Sequence, residues 1–459
     1  MKKKLFFSIL MIMALVASPL FLGACAAPTP EPTEEPTEGV VEEPTEEAVE
    51  EPTKEPTVKP AEKPEEVTLT VWFLSGSPEE IGLMQELSDQ FAEDHPGVTI
   101  DFSSYGFDDM NNTLRLALDG GTGPDVAYTS PGPSHGGQYA KAGHLVNLSP
   151  SAEEYGWINK FSESILLYNN ESLDEIYGAG FDMVSVGVFY NEELFNDLGL
   201  TEPETFEDFE NIHAEIKDAG YIPIAVGGLD GWPLAHVWDQ LLHAIAPIKK
   251  IEAVESGDSD ASYADPDFVK AAEILDRWIE EGYFQDNMLA TSYPDGNNLF
   301  INGEAAINIG GTWNNSTFSV QPDFTARFFA FPRVDESIEW HMGGFTPNNA
   351  WMVPVYSEHQ DLALEYVAFM MGPEVAKAKW NAGDIVGYQF DTIPDPVSPL
   401  QADVYSAMQK TGPGYYLGNY SSEVQAAIWA ALQAIASGRK SPEEAMQSID
   451  QVYQAVVGE

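Results

Sequence analysis

Trp313, with Asn314 directly after it, closes a short stretch, Leu299–Trp313, that reads Leu-Phe-Ile-Asn-Gly-Glu-Ala-Ala-Ile-Asn-Ile-Gly-Gly-Thr-Trp. An aromatic ring beside an amide suits a neutral polar ligand with an apolar face, because the ring stacks and the amide hydrogen-bonds. The stretch reads as a helix end closed by Gly303. A strand follows from Ala305 to Ile309, with Ala305, Ile307 and Ile309 on one face. Gly310 and Gly311 are then expected to turn sharply and deliver Trp313 and Asn314 to the strand's carboxyl end. Open α/β sheets bind ligands at that end. A core tryptophan after a glycine turn fits the same residues.

Other chemistry finds less support. The sequence has no His-Glu-x-x-His, no cysteine pair and no Gly-x-Ser-x-Gly elbow, so neither a metal nor a cofactor is expected. Ser437-Gly438-Arg439-Lys440 fits Ser-x-x-Lys but also a helix end. Asp258, Asp260 and Asp265 form an acidic loop without the glycine and terminal glutamate of an EF-hand. A secreted glycan-processing enzyme could use two of the 74 acidic residues. The formal charge of −53 argues against nucleic acid. A solvated acidic surface accounts for most of it.

The elements that would position a site follow in order. Val67, Leu69, Val71 and Phe73 alternate as a first strand. Ser75 and Gly76 come directly after it and are expected to face a cleft, while Trp72 reads as packing. Ile81, Met84, Leu87 and Phe91 mark a helix, and Val98–Phe102 a second strand. Tyr105 and Asp108 lie just beyond, at the cleft edge. A helix through Met110, Leu114 and Leu118 leads to a third strand, Pro124–Tyr128, followed by Thr129 and Ser130. This β-α-β-α-β run implies a parallel sheet with helices on its faces. The pattern recurs with strands at Val184–Tyr190 and Ile222–Val226. Helices are expected at Thr205–Ala219, Trp232–Ile245, Phe268–Glu281, Asp361–Met371, Ser421–Ser437 and Pro442–Val457. Length alone calls for two large lobes.

The amino-terminal segment reads differently. Lys2, Lys3 and Lys4 precede an apolar run, Leu5–Leu22, in the layout of a signal peptide. Leu22-Gly23-Ala24-Cys25 matches a bacterial lipobox, so residues 1–24 are expected to be removed and Cys25 to carry the lipid. Residues 25–66 repeat Glu-Pro-Thr and read as an extended, unpacked linker. A solute-binding domain would then occupy residues 67–459.

Several blocks stand in a familiar order: Leu114–Val126, Tyr139–Leu148, Val188–Phe195, Thr205–Phe209, Leu299–Trp313 and Ser437–Ala445. Together they resemble the family 1 extracellular solute-binding proteins of ABC importers, the group that includes the maltose-binding proteins. The resemblance covers nearly everything from Val67 onward. It implies a two-lobe, periplasmic-binding-protein-like α/β fold of type II, each lobe a mainly parallel sheet flanked by helices, with the ligand cleft between lobes. Lobe 1 would comprise about 67–183 and 342–386, and lobe 2 about 187–335 and 390–459. It also implies capture of a sugar or oligosaccharide, closure by a hinge, and delivery to the transmembrane permease by a monomer held outside the cytoplasmic membrane by its lipid. A polyamine carrier is the rival reading, in view of the acidic composition; a sensor or a surface adhesin is a further alternative.

The same resemblance assigns further residues. Trp232, in Gly231-Trp232-Pro233-Leu234, matches the stacking segment of the second lobe, with His236 and Trp238 on the helix behind it. Thr129 and Ser130 stand where the family places sugar contacts. The maltose binders carry an aromatic and acids there, so Thr-Ser-Pro-Gly counts against maltodextrin. Asp125 of the Pro-Asp pair either binds ligand or caps its loop. Gly343, Gly344 and Phe345 follow a crossover, where glycines permit close approach. Asp384 lies in the last crossover loop and could bridge the lobes. Trp429 matches a stacking position or packs within its helix.

Overall fold

The computed structural model describes residues 66–160, 166–169, 172–344, 346–347 and 349–458. The expected signal segment, Cys25, the Glu/Pro/Thr-rich linker and Phe345 lie outside them.

Alternation in the first strand, β1 (Val67–Leu74), places Leu69, Val71 and Phe73 in a core at zero exposure. β1 pairs in parallel with β2 (Val98–Tyr105) and β3 (Val126–Thr129). The helix between β1 and β2, Pro78–Asp94, starts where the Ser77 hydroxyl accepts the Glu80 N–H, and it buries Met84, Leu87 and Phe91. β4 (Leu166–Asn169) and β5 (Ser172–Ala179) complete this side of the sheet. The chain then passes through the short strand β6 (Met183–Val184) into a second sheet at β7 (Val186–Asn191).

The second sheet adds β8 (Ile222–Ala225), β9 (Ala305–Gly311) and β10 (Ala326–Phe329), in the order β10-β7-β9-β8. Short strands β11 (His341–Met342) and β12 (Thr346–Pro347) carry the chain back. β13 (Ala350–Met352) then inserts into the first sheet, whose order is β2-β1-β3-β13-β5-β4. β12 pairs with β6, and β11 with β14 (Gly412–Pro413). The chain therefore crosses between the sheets near Asp182, which also bridges to Val386.

The two-lobed α/β architecture matches expectation, but both sheets are mixed. β13 runs antiparallel to β3 and β5, and β7 runs antiparallel to β9 and β10; only β8 and β9 are parallel in the second sheet. A parallel neighbour needs a crossover within its own sheet. Strands that arrive from the other sheet have no such constraint.

The second lobe's core gathers Trp238, Phe268, Trp278 and Tyr453. The helices Ser422–Ala436 and Pro442–Val457 pack against each other, and each also packs on one or both of the helices Trp232–Ile245 and Pro266–Glu280. The core around Phe73, Tyr128 and Trp351 continues onto Phe189 and Phe328 of the second sheet and Phe318 of the helix Asn315–Val320. No helix among the described residues is long and apolar enough to cross a membrane.

Candidate functional site

Gly231 adopts a positive φ of 79° at the start of the helix Trp232–Ile245. A Cβ there would lie 2.9 Å from Cβ of Trp429, so Trp429 packs directly behind the turn that presents Trp232. The Trp232 ring lies 4.3 Å from Tyr293 and 6.1 Å from Trp313, centroid to centroid. One helical turn on, His236 is enclosed by Trp232 at 5.4 Å, Trp313 at 5.6 Å and Tyr416 at 5.2 Å. Burial drives the His236 pKa down to about 3, so the ring is neutral and its Nδ1 has no hydrogen-bond partner.

A polar chain runs beside this aromatic wall. Trp313 Nε1 donates to the Tyr293 hydroxyl at 2.6 Å, and that hydroxyl donates to Asn314 Oδ1 at 2.9 Å. Asn297 Nδ2 donates to the same oxygen at 3.4 Å, and Asn308 Nδ2 donates to Asn297 Oδ1 at 3.1 Å. Asn314 Nδ2 is left buried with no partner. The expected turn at Gly310 and Gly311 is corrected: both belong to β9, and Gly311 is extended at φ −88°. Space is the reason for glycine, since a Cβ at Gly311 would sit 2.0 Å from the Trp313 ring.

Elements of the first sheet face this wall. Phe107 lies 6.2 Å from Trp232 and 5.4 Å from His135. Burial raises the Asp108 pKa, and the charges of Asp230 and Asp109 add to it. A Cβ on Gly132 would lie 3.0 Å from Asn419 Oδ1. The Thr129 hydroxyl is buried without a partner, and Ser130 Oγ donates to Asn349 at 3.4 Å. On the other flank Ser77 Oγ meets Thr317 Oγ1 at 3.1 Å. Glu79 accepts from Thr317 at 3.1 Å and from Gln321 at 2.8 Å. The two sides touch along both flanks, so the cleft is closed.

Where the chain crosses, Lys379 Nζ lies 2.8 Å from both Glu80 Oε1 and Asp182 Oδ2, and 3.5 Å from Asp384 Oδ2. Tyr128 donates to Asp182 Oδ2, and Ser75 Oγ donates to Glu80 Oε2 at 2.6 Å. Burial, with the neighbouring Glu80 and Asp182 charges outweighed only in part by Lys379, lifts the Asp384 pKa to about 7. Glu80, Asp182, Lys379 and Asp384 line a small cavity of about 10 Å³, room for about one water, which Thr312 and Trp313 also border.

Several expected contacts are corrected. Trp238 is fully buried and packs on Phe268 at 6.2 Å, because six positions from Trp232 it is turned about 120° around the helix, onto the core. Asp125 holds its loop instead: it accepts the Thr70 N–H at 2.8 Å and the Ser357 hydroxyl at 2.6 Å. Tyr105 packs on Trp72 at 5.1 Å, and Gly76 is exposed with open space around it. Gly343 and Gly344 make room for the protein itself, since a Cβ would meet Gln240 at 2.5 Å and the Tyr416 ring at 2.0 Å respectively. Ser75 and Asp384 belong to the Lys379 cluster. Trp232, Trp313 and Asn314 gather on the second-lobe wall, with Trp429 packed behind the Gly231 turn and Asp108, Thr129 and Ser130 on the facing side. Sequence reasoning missed Phe107, His236 as a wall residue, Tyr293, Asn297, Tyr416, Glu80, Asp182 and Lys379. Helical spacing could have found His236, four residues after Trp232, and paired Tyr293 with Asn297.

The family of bacterial extracellular solute-binding proteins matches residues 76–377, and the chain belongs to it. The chain is similar to the multiple sugar-binding protein of Streptococcus mutans, with 24% identity over 58% of this chain and 63% of that one. It is also similar to the galactooligosaccharide-binding protein of Bacillus subtilis, with 22% identity over 75% and 79%. The chain thus spans less than two thirds of the S. mutans relative, and 66% of an extracellular-binding protein of an ABC transporter from Pyrococcus horikoshii. Among solved structures, a chitin oligosaccharide binding protein superimposes with a TM-score of 0.76 at 21% identity, covering 86% of this chain and 99% of that one. RafE in complex with raffinose gives 0.71 at 22%, covering 85% and 100%. These likenesses establish the two-lobed fold.

Proposed function

We propose that this protein captures a sugar or oligosaccharide between its lobes and delivers it to the permease of an ABC transporter, with no chemistry of its own. The observation that carries the reading is the wall of Trp232, His236, Trp313 and Tyr416 beside a buried Asn314 amide whose Nδ2 has no partner. Such a surface stacks an apolar sugar face and donates to a hydroxyl. The sugar-binding names of its relatives point the same way. In this reading the lobes divide near Asp182–Val186, Val334–His341 and Asp384–Gln389. The protein acts as a monomer on the outer side of the cytoplasmic membrane, tethered by lipid on Cys25 through the linker.

A thermal-shift panel of mono- and oligosaccharides on residues 66–459 tests this. A sugar at a hundred times its dissociation constant should stabilise the fold by about 2.7 kcal/mol. No response to any sugar would remove carbohydrate capture from consideration.

A further inference from the structure

We propose that the crossing end of the cleft seats a protonated amine of the captured ligand, so that the preferred sugars are amino sugars. This rests on the carrier reading above and narrows its ligand class.

The first argument is a count of donors. Glu80, Asp182 and Asp384 surround one lysine. The Lys379 ammonium donates to Glu80 and Asp182 and lies 3.5 Å from Asp384, and Tyr128 and Ser75 supply one hydrogen bond each. Asp182 is 5% exposed, and its Oδ1 still has no partner. It lines the water-sized cavity, about 10 Å³, that Trp313 also borders. An unpaired oxygen on a buried carboxylate calls for a donor.

The second argument is charge. One ammonium faces three carboxylates, so ionising the set leaves a buried surplus of two negative charges. A ligand hydroxyl would supply a donor and leave that surplus in place. A ligand ammonium supplies the donor and cancels part of the surplus. The Trp313 indole on the same cavity adds the aromatic face that cations favour. The titratable groups on this space come from four places: Glu80 on the helix Pro78–Asp94, Tyr128 on β3, Lys379 on the helix Pro373–Ala382, and Asp182 and Asp384 on the crossing segments.

A release of protons should accompany binding. Burial holds Asp182 above the usual carboxylate range and Asp384 at about 7. An arriving cation favours their ionised forms, and protons leave.

The test is calorimetry on the full folded chain with matched probes: glucosamine against glucose, and the glucosamine disaccharide against cellobiose. Titrations at about pH 6 in two buffers of different ionisation enthalpy count the protons. We expect the amino member of each pair to bind at least about tenfold more tightly, as hydrogen bonds to charged groups support, with net proton release that the neutral member lacks. Asp182→Asn should collapse the ratio between the paired sugars toward one. The proton count needs only the unaltered protein, so it stands even where the variant misfolds. Equal affinities without proton release would overturn the amine seat and leave the carrier reading intact. A panel in which neither kind of sugar binds would overturn both.

Discussion

The indole of Trp313 donates to the hydroxyl of Tyr293 across 2.6 Å, and that hydroxyl in turn donates a hydrogen bond to Asn314 Oδ1. One oxygen thus fixes both the stacking ring and the amide beside it. Tyr293→Phe keeps the ring on Trp232 and deletes the oxygen. The indole N–H then loses its acceptor, and Asn314 keeps only the longer bond from Asn297. We expect the unfolding free energy to fall by about 1–2 kcal/mol and sugar affinity by about tenfold. Urea unfolding and a tryptophan-fluorescence titration measure the two, and unchanged affinity would show that the wall does not need this oxygen.

Gly311→Ala separates steric from backbone effects. The residue is extended at φ −88°, so alanine meets no strain in the chain. Its Cβ would collide with the Trp313 ring. The ring must swing out of the wall while β9 keeps its pairing. The expected result is lost sugar binding and a shifted tryptophan emission with an unchanged far-UV spectrum. Retained binding would place the ligand away from Trp313.

Two tryptophans of the second lobe should respond oppositely. Trp238→Ala opens a cavity in a closed core and should cost about 3–5 kcal/mol of stability. Trp313→Ala removes a partly exposed ring and should weaken binding more than it destabilises the fold. Chemical denaturation alongside ligand titration of both variants distinguishes them. If Trp238→Ala cost no stability, the core assignment would fail.

The same pair marks what the sequence could reveal. Helical and strand periods record which face is buried, so Pro442–Val457 and Trp232–Ile245 were legible to the residue, and so was the start of β1. Contacts between distant segments leave no such trace. For Asp125 ligand contact and loop capping stay equally open in the sequence, because its partner Ser357 lies 232 positions away. The Glu80–Lys379 pair spans 299 positions, and neither residue carries a local signal of it. Tyr416 reaches the wall from a loop with no periodicity at all. Trp238 lies beyond the Gly-Trp-Pro-Leu segment that marks the wall, and only the turn of the helix puts its ring in the core.

Glu79 closes one flank by accepting from Thr317 and Gln321. Those bonds hold its pKa below the usual value even though burial opposes them. Glu79→Gln with Thr317→Val removes the charge and one donor. The open form should gain population, seen as a larger radius of gyration in small-angle scattering and weaker ligand binding. The latch is electrostatic in sign: its contribution is present at neutral pH and is lost as pH falls through the lowered Glu79 value. A radius that does not change would mean that the aromatic flank alone keeps the lobes together.

Stability should fall both toward acid and above about pH 6.5, because two sets of buried groups act in opposite directions. Burial lowers His213 and His236 to about 3, and His135 and His243 to about 4, from 6.5. The unfolded chain takes up those protons first, so stability is lost as pH drops below 6.5. Burial raises Glu255 from 4.5 to about 8 and Asp384 from 3.8 to about 7. Their contribution is fully present below the unfolded values and is lost as pH rises through the folded ones. Above pH 6.5 such carboxyl groups lower stability, each by up to about 1.4 kcal/mol per pH unit until its folded value is passed, and burial raises Asp182 and Asp239 in the same direction. Glu255 accepts the Gly418 N–H at 2.8 Å and the Tyr263 hydroxyl at 3.3 Å, and a glutamine oxygen can accept both. Glu255→Gln should therefore keep the loop that carries Tyr416 in place and flatten the alkaline decline. Calorimetric melting of both proteins across this range measures it, and parallel declines would show that Glu255 does not titrate there.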